Sequence, residues 1–289
     1  MKTMKTGPRP TESVNGDSAD LFVEYESIGE MFDAADAVGG GFHPTNVGMA
    51  DGRARGGRNW MQGATFDNLR ASLVRPRTEI IAAVQEMRDR LEEQLAPPLK
   101  RRRKRRDRQE EGEELDPQAV AEMRPDGWSR IVRVMRRKHV AELGVNMTVH
   151  AGLEQQHMIY RGAAICAVAD MLTTEGHSVG VTAYMAALNP GPLTRRFAMS
   201  FRVKQPDAPL DIAAVSTATC DLGFLRLAMF SAMIRSMTSP CRPTLGYPAS
   251  VPDFAKRHVD VMVEGDVFTE KSAVETVREI MVKFRENEG

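Results

Sequence analysis

The chain has 289 residues, 42% of them hydrophobic, enough to bury a sizeable core as one large domain or two smaller ones. Thirty-nine lysines and arginines balance 39 aspartates and glutamates, so no global field draws the protein to nucleic acid or to an anionic membrane, and electrostatic function must come from local patches. No run reaches the roughly 20 apolar residues of a spanning helix, and the polar opening "MKTMKTGPRPTESVNGDSAD" lacks a secretory apolar stretch, so a cytoplasmic protein is expected.

Residues 1–20 read as a disordered tail, followed by a helical N-terminal region over 21–96. Ile28, Met31, Phe32 and Ala35 have helical spacing before a glycine stop. The stretch "FHPTNVGMADGRARGGRN" is loop-like and basic, and Thr65 can cap a short helix carrying Phe66, Leu69 and Leu73. The clearest helix of this half carries Ile80, Ile81, Val84, Met87, Leu91 and Leu95 on one stripe and stops at Pro97 and Pro98.

Residues 97–122 hold a basic block, "KRRRKRRDR", and then an acidic one, "QEEGEELD". Neither has anything to bury, so the segment reads as a solvated, disordered linker. Its two readings are a nucleic-acid contact through phosphate charge and a spacer whose blocks neutralise each other. The absence of interleaved aromatic residues for base stacking favours the spacer.

From residue 123 to 289 the pattern becomes one of alternating strands and helices. "MRPDGWSRIVRVMRRKH" predicts a short helix with Trp128, Ile131, Val132 and Met135 inward. A strand over Leu143–Val149 follows, then a helix from about Met158 to Thr174 whose small residues allow close packing on a sheet. Gly176 signals that helix's end before the strand "GHSVGVTAYMA". Phe197, Met199, Phe201 and Val203 alternate along a further strand that the short link makes an antiparallel edge. Two helices follow, in "PLDIAAVSTATC" and "LGFLRLAMFSAMIRSM", with Asp211 complementing the first one's dipole. "HVDVMVEG" is a last strand, and Val274, Val277, Ile280, Met281 and Phe284 line a last helix. The expected fold class is α/β, a mostly parallel sheet with helices on both faces, preceded by the small helical region.

Ligands of such sheets sit beyond the carboxyl ends of the strands, which puts Asn146, Thr148 and His150 of "GVNMTVHAGLEQQHMIYRGAA" at the candidate site. The element order resembles a von Willebrand factor A-like, Rossmann-like domain, whose magnesium site opens with Asp-x-Ser-x-Ser at this place. Here the residues are Asn, Thr and His, with no carboxylate, so Asn146 and Thr148 are only weak metal candidates and no cofactor is expected. Arg161, near the next helix's start, suits an anion or a partner carboxylate, or a structural pairing with Glu154 or Asp170. His139, His150, His157 and His177 show no metal spacing. The cysteines Cys166, Cys220 and Cys241 lack zinc spacing and read as buried thiols. No dinucleotide, P-loop, nucleophile-elbow or paired-carboxylate motif is present.

The elements "RNWMQGATFDNL", "RPDGWSRIVRVMRR", "VNMTVHAG", "IYRGAAICAVADMLTTEGHSV", "VKQPDAPLDIAAV" and "FLRLAMFSAM" together resemble an uncharacterised family of phage and phage-derived bacterial proteins, over about residues 25–285. That resemblance implies a bacterial host cytoplasm and no established activity. The expectation is a non-enzymatic adaptor that binds another phage or host protein through Asn146, Thr148, His150 and Arg161. Two alternatives stand beside it. One is nucleic-acid binding through Lys100, Arg101, Arg102, Arg103, Lys104, Arg105 and Arg106 with Arg53, Arg55 and Arg58. The other is an enzyme acting in the same crevice.

Overall fold

Six strands form the main sheet in the order β1-β2-β8-β7-β6-β9, and three more form a small sheet in the order β3-β5-β4. The computed structural model describes residues 10–15, 18–36, 64–75, 77–95, 103–109, 111, 114–133, 140–150, 152–189, 195–236, 248–264 and 267–286. Arg53, Arg55, Arg58, Lys100, Arg101, Arg102, Met135, His139 and Cys241 lie outside the described residues. In chain order the elements are β1 (Pro10–Asn15), β2 (Ser18–Tyr25), α1 (Ile28–Asp36), α2 (Phe66–Val74), α3 (Thr78–Gln94), β3 (Arg103–Gln109), β4 (Glu114–Leu115), α4 (Pro117–Ala121), β5 (Trp128–Arg133) and β6 (Val140–Asn146). They continue with α5 (Gln155–Glu175), β7 (Ser178–Asn189), β8 (Arg195–Lys204), α6 (Ile212–Cys220), a π-helical run Phe224–Met229 leading into α7 (Phe230–Ser236), a 3-10 turn Asp253–Lys256, β9 (Val261–Val263) and α8 (Glu270–Glu286).

The α/β class holds. The sheet is mixed: β2–β8, β6–β7 and β6–β9 pair parallel, while β1–β2 and β7–β8 pair antiparallel. Several boundaries differ from the sequence reading, each because a distant strand supplies the pairing. Residues 10–25 form a hairpin, not a tail. Its register closes Asn15 on Ser18, a two-residue connection whose sequence, Gly16-Asp17, has the glycine such turns favour. β2 then covers the free side of β8, so β8 is antiparallel to β7 but is not an edge.

Residues 128–133, where the spacing predicts a helix, form β5, and residues 103–109 of the expected linker pair with it as β3. The helices of the N-terminal region do not form a layer of their own. Phe32, Leu69, Val84 and Leu91 belong to the same hydrophobic cluster as the sheet and α5 through α8.

The two faces of the sheet are covered unequally. Side chains alternate along strands, and one set, including Val23, Leu143, Val145, Val181, Met185, Met199 and Phe201, packs into the cluster that holds every long helix. The opposite set, Phe22, Tyr184, Ala186 and Ala198, meets Val251 and Ala255, with Met262 and neighbours from the 248–260 segment. Among the described residues the long helices pack on the first face and a 3-10 strap crosses the second. No single helix among the described residues is long and apolar enough to cross a membrane.

Capping matches the sequence signals. Thr65 accepts from the Asn68 amide at 3.2 Å, Asp211 from Ala213 and Ala214 at 2.9 and 3.1 Å, and Gly176 closes α5 at φ +100°. Gly162 serves close approach. A Cβ there would collide with Cys220 Sγ and stand 2.9 Å from Thr219 Oγ1, so α6 lies directly on α5. Burial pushes the Cys166 thiol up to about 12 and the Cys220 thiol higher still, which keeps both neutral. Gly162→Ala should destabilise the protein by about 1–3 kcal/mol through overpacking, despite alanine's better helix propensity. Urea denaturation measures this; a stabilisation of about 1 kcal/mol, as an exposed helical glycine gives, would mean that α5 and α6 are not in contact there.

Candidate functional site

β6 lies between β7 and β9, and its carboxyl end brings Asn146, Thr148 and Arg161 together. What they do there is hold backbone. The Asn146 amide donates to Ala249 O at 3.1 Å while its Oδ1 accepts from the Thr148 amide at 3.1 Å. Thr148 Oγ1 donates to Ala186 O at 2.9 Å and accepts from Ala186 N at 2.7 Å, extending the ladder to β7 by one side-chain rung. Arg161, only 1% exposed, donates to Asn146 O at 2.7 Å and stacks its guanidinium 5.1 Å from the Phe268 ring. His150 alone of the four is exposed, and its Nδ1 accepts from the Gly152 amide at 3.2 Å.

This donor set does not fit a hard divalent cation. Asn146 Oδ1 and Thr148 Oγ1 both accept backbone amides, and the pair brings no carboxylate. Among the described residues no three His, Cys, Asp or Glu side chains converge as a metal site. The histidines scatter. His157 completes the capping box of α5 by accepting from the Glu154 amide at 3.2 Å, and His177 is buried beside Phe284. Asp170 meets Glu92 across α3 and α5, where burial, ahead of the neighbouring charges, raises the Glu92 carboxyl.

The basic block has a different setting. β3 runs antiparallel to β5 with Arg103 opposite Arg133, Lys104 opposite Val132, Arg105 opposite Ile131 and Arg106 opposite Arg130. Glu114 pairs opposite Ser129 on the other edge of β5, one position from Arg130. Composition missed this, because the partner strand lies about 20 residues downstream.

The sequence profile of DUF7192, a domain of unknown function, matches residues 8–285. The chain belongs to the DUF7192 family. The match takes in the β1–β2 hairpin and the β3–β5–β4 sheet as well as the helical layer, so the basic ribbon lies within the span that defines this DUF7192 member. No curated protein and no solved structure matches the chain.

Thr148→Val keeps shape but strands the Ala186 amide and carbonyl, and should lower stability by about 1–3 kcal/mol. His150→Ala should stay within about 0.5 kcal/mol of the parent. Equilibrium unfolding of both variants checks this; a neutral Thr148→Val would show that the side-chain rung is not formed.

Proposed function

We propose that this DUF7192 protein contacts the phosphate backbone of a nucleic acid through the basic ribbon of β3 and β5. The observation that carries the reading is the register, which sets Arg103 against Arg133 and Arg106 against Arg130. Like charges paired across a ladder oppose folding, and a polyanion laid along the ribbon relieves that repulsion while releasing its own counterions. Contacts of this kind position a protein without reading sequence.

The adaptor reading at β6 has less support, since three of its four residues are committed to backbone and only His150 meets solvent. The strand order β8-β7-β6-β9, which is third-second-first-fourth in the chain order of residues 140–263, supports a von Willebrand factor A-like, Rossmann-like reading of that half. The phage-derived origin, and with it a bacterial cytoplasm, rests on the sequence elements from "RNWMQGATFDNL" onward. No reaction is part of this proposal.

Fluorescence anisotropy with a labelled mixed-sequence DNA duplex, from about 50 to 200 mM salt, tests it. Affinity should fall steeply with salt. Replacing Arg103, Lys104, Arg105 and Arg106 with glutamine should weaken binding and flatten the log–log salt slope by about 0.9 for each phosphate no longer neutralised. Absence of binding at low salt, or a slope untouched by the substitutions, would overturn the reading.

A further inference from the structure

A second concave site lies on the face of the sheet that the helices leave open. The 248–260 segment crosses this face as a strap. Pro248 bridges to Ala187, Phe254 meets Phe22 edge-on at 6.0 Å, and Asp260 ties back to the Glu142 amide at 2.8 Å. Between strap and sheet is a cleft of about 620 Å3, within the usual range of small-molecule sites.

The floor of the cleft is built by strand register. Glu24 of β2, Ser200 of β8 and Tyr184 of β7 stand opposite one another in one row, and Arg202 and Thr182 form the next. Gly180 is what lets Arg202 reach Glu142: a Cβ at 180 would collide with Glu142 and stand 2.7 Å from Arg202 Nη1. That ion pair occupies one nitrogen of the guanidinium, and Arg202 still lines the cleft.

One enclosed polar group on this face has no partner among the described residues. Ser200 is 1% exposed, and its enclosed hydroxyl makes no hydrogen bond. Tyr184 is 4% exposed, and its phenol, with its hydroxyl, belongs to the cleft lining. Burial, then the Glu24 carboxylate, pushes that hydroxyl up to about 12, so it stays a donor. Buried polar groups are almost always satisfied, and Ser200, which stands in the same cross-strand row as the cleft residues Glu24 and Tyr184, is an exception.

The charges say which kind of ligand suits the cleft. Glu24 on β2 and Glu26 just after it line one side and Arg257 on the strap lines the other, with no ion pair between the two sides among the described residues. A purely cationic or purely anionic occupant would answer one wall only. Phe22 and Phe254 add an apolar surface at the same mouth.

The geometry points to a binding site for a small zwitterion, an amino acid or dipeptide, with its ammonium on Glu24 and Glu26, its carboxylate on Arg257, its polar backbone on Tyr184 and Thr182, and an apolar side chain against Phe22 and Phe254. The site is on the sheet face and does not depend on the nucleic-acid reading.

Isothermal titration calorimetry of the full chain with phenylalanine and with the dipeptide leucyl-phenylalanine tests it, alongside N-acetyl-phenylalanine and phenylalaninamide as controls. At least one free zwitterion should bind, and each blocked form of phenylalanine should bind about tenfold more weakly or not at all, as removal of one charged interaction requires. Glu24→Gln should abolish the penalty for N-acetylation and Arg257→Gln the penalty for amidation. Both positions are exposed, so circular dichroism should show the fold retained. No binding by either zwitterion up to about 10 mM, equal affinity for the blocked forms, or indifference to both variants would overturn the assignment.

Discussion

Everything in this molecule rests on the close seating of α5. From Arg161 to Ala169 nine consecutive residues of that helix are buried, and most are small. A helix buried on all sides has no polar face to give to solvent, so its neighbours must enclose it: the sheet beneath, α6 against Gly162, α3 along Asp170, and α8 on the remaining side. Small side chains bring backbones near enough that shape, more than area, decides the fit. Gln155 extends the same joint, donating to Cys220 O and accepting from the Leu222 amide at 3.1 Å. Asp221, buried there with Arg77 at 2.8 Å, caps the turn into the π-helical run.

That seating explains why the helices gather on one face. With α5 covered by three other helices, the core lies on one side of the sheet, and the other side is left to a strap of a dozen residues. It also explains the fate of the β6 end. The first turn of α5 must be anchored to the strand before it, and Arg161, Asn146 and Thr148 do this by bonding backbone across β6 and β7. Side chains used for anchoring are not available for recognition. In the readings proposed above, contacts with other molecules fall instead to the basic ribbon and the strap-covered cleft.

Much of this was legible in sequence wherever the determining interactions are local. The stripe of α3, the caps at Thr65, Asp211 and Gly176, the small-residue character of α5 and the apolar line of α8 depend on neighbours within a turn or two. β5 was not legible, because "WSRIVRVM" satisfies a helical spacing as well as an alternating one, and the choice is made by β3 about 25 residues away. The basic run misled in the same manner: its composition denies it a core, yet ladder bonds with β5 need none. The row Glu24, Ser200, Tyr184 joins Glu24 to residues more than 150 positions downstream, and no local pattern marks them. Arg161 stands out in sequence by its charge, and its role is carbonyl binding and ring stacking, which a sequence does not separate from anion binding.

The central claim is a rigid body organised around α5, with nucleic acid touching only its ribbon. Amide hydrogen exchange followed by mass spectrometry, with and without a DNA duplex, addresses both halves in one experiment. The account predicts that α5, β6 and β7 exchange slowest and are unchanged by the duplex, while peptides covering 103–133 gain protection. Fast exchange in α5, or duplex protection at the β6 end in place of the ribbon, would contradict it.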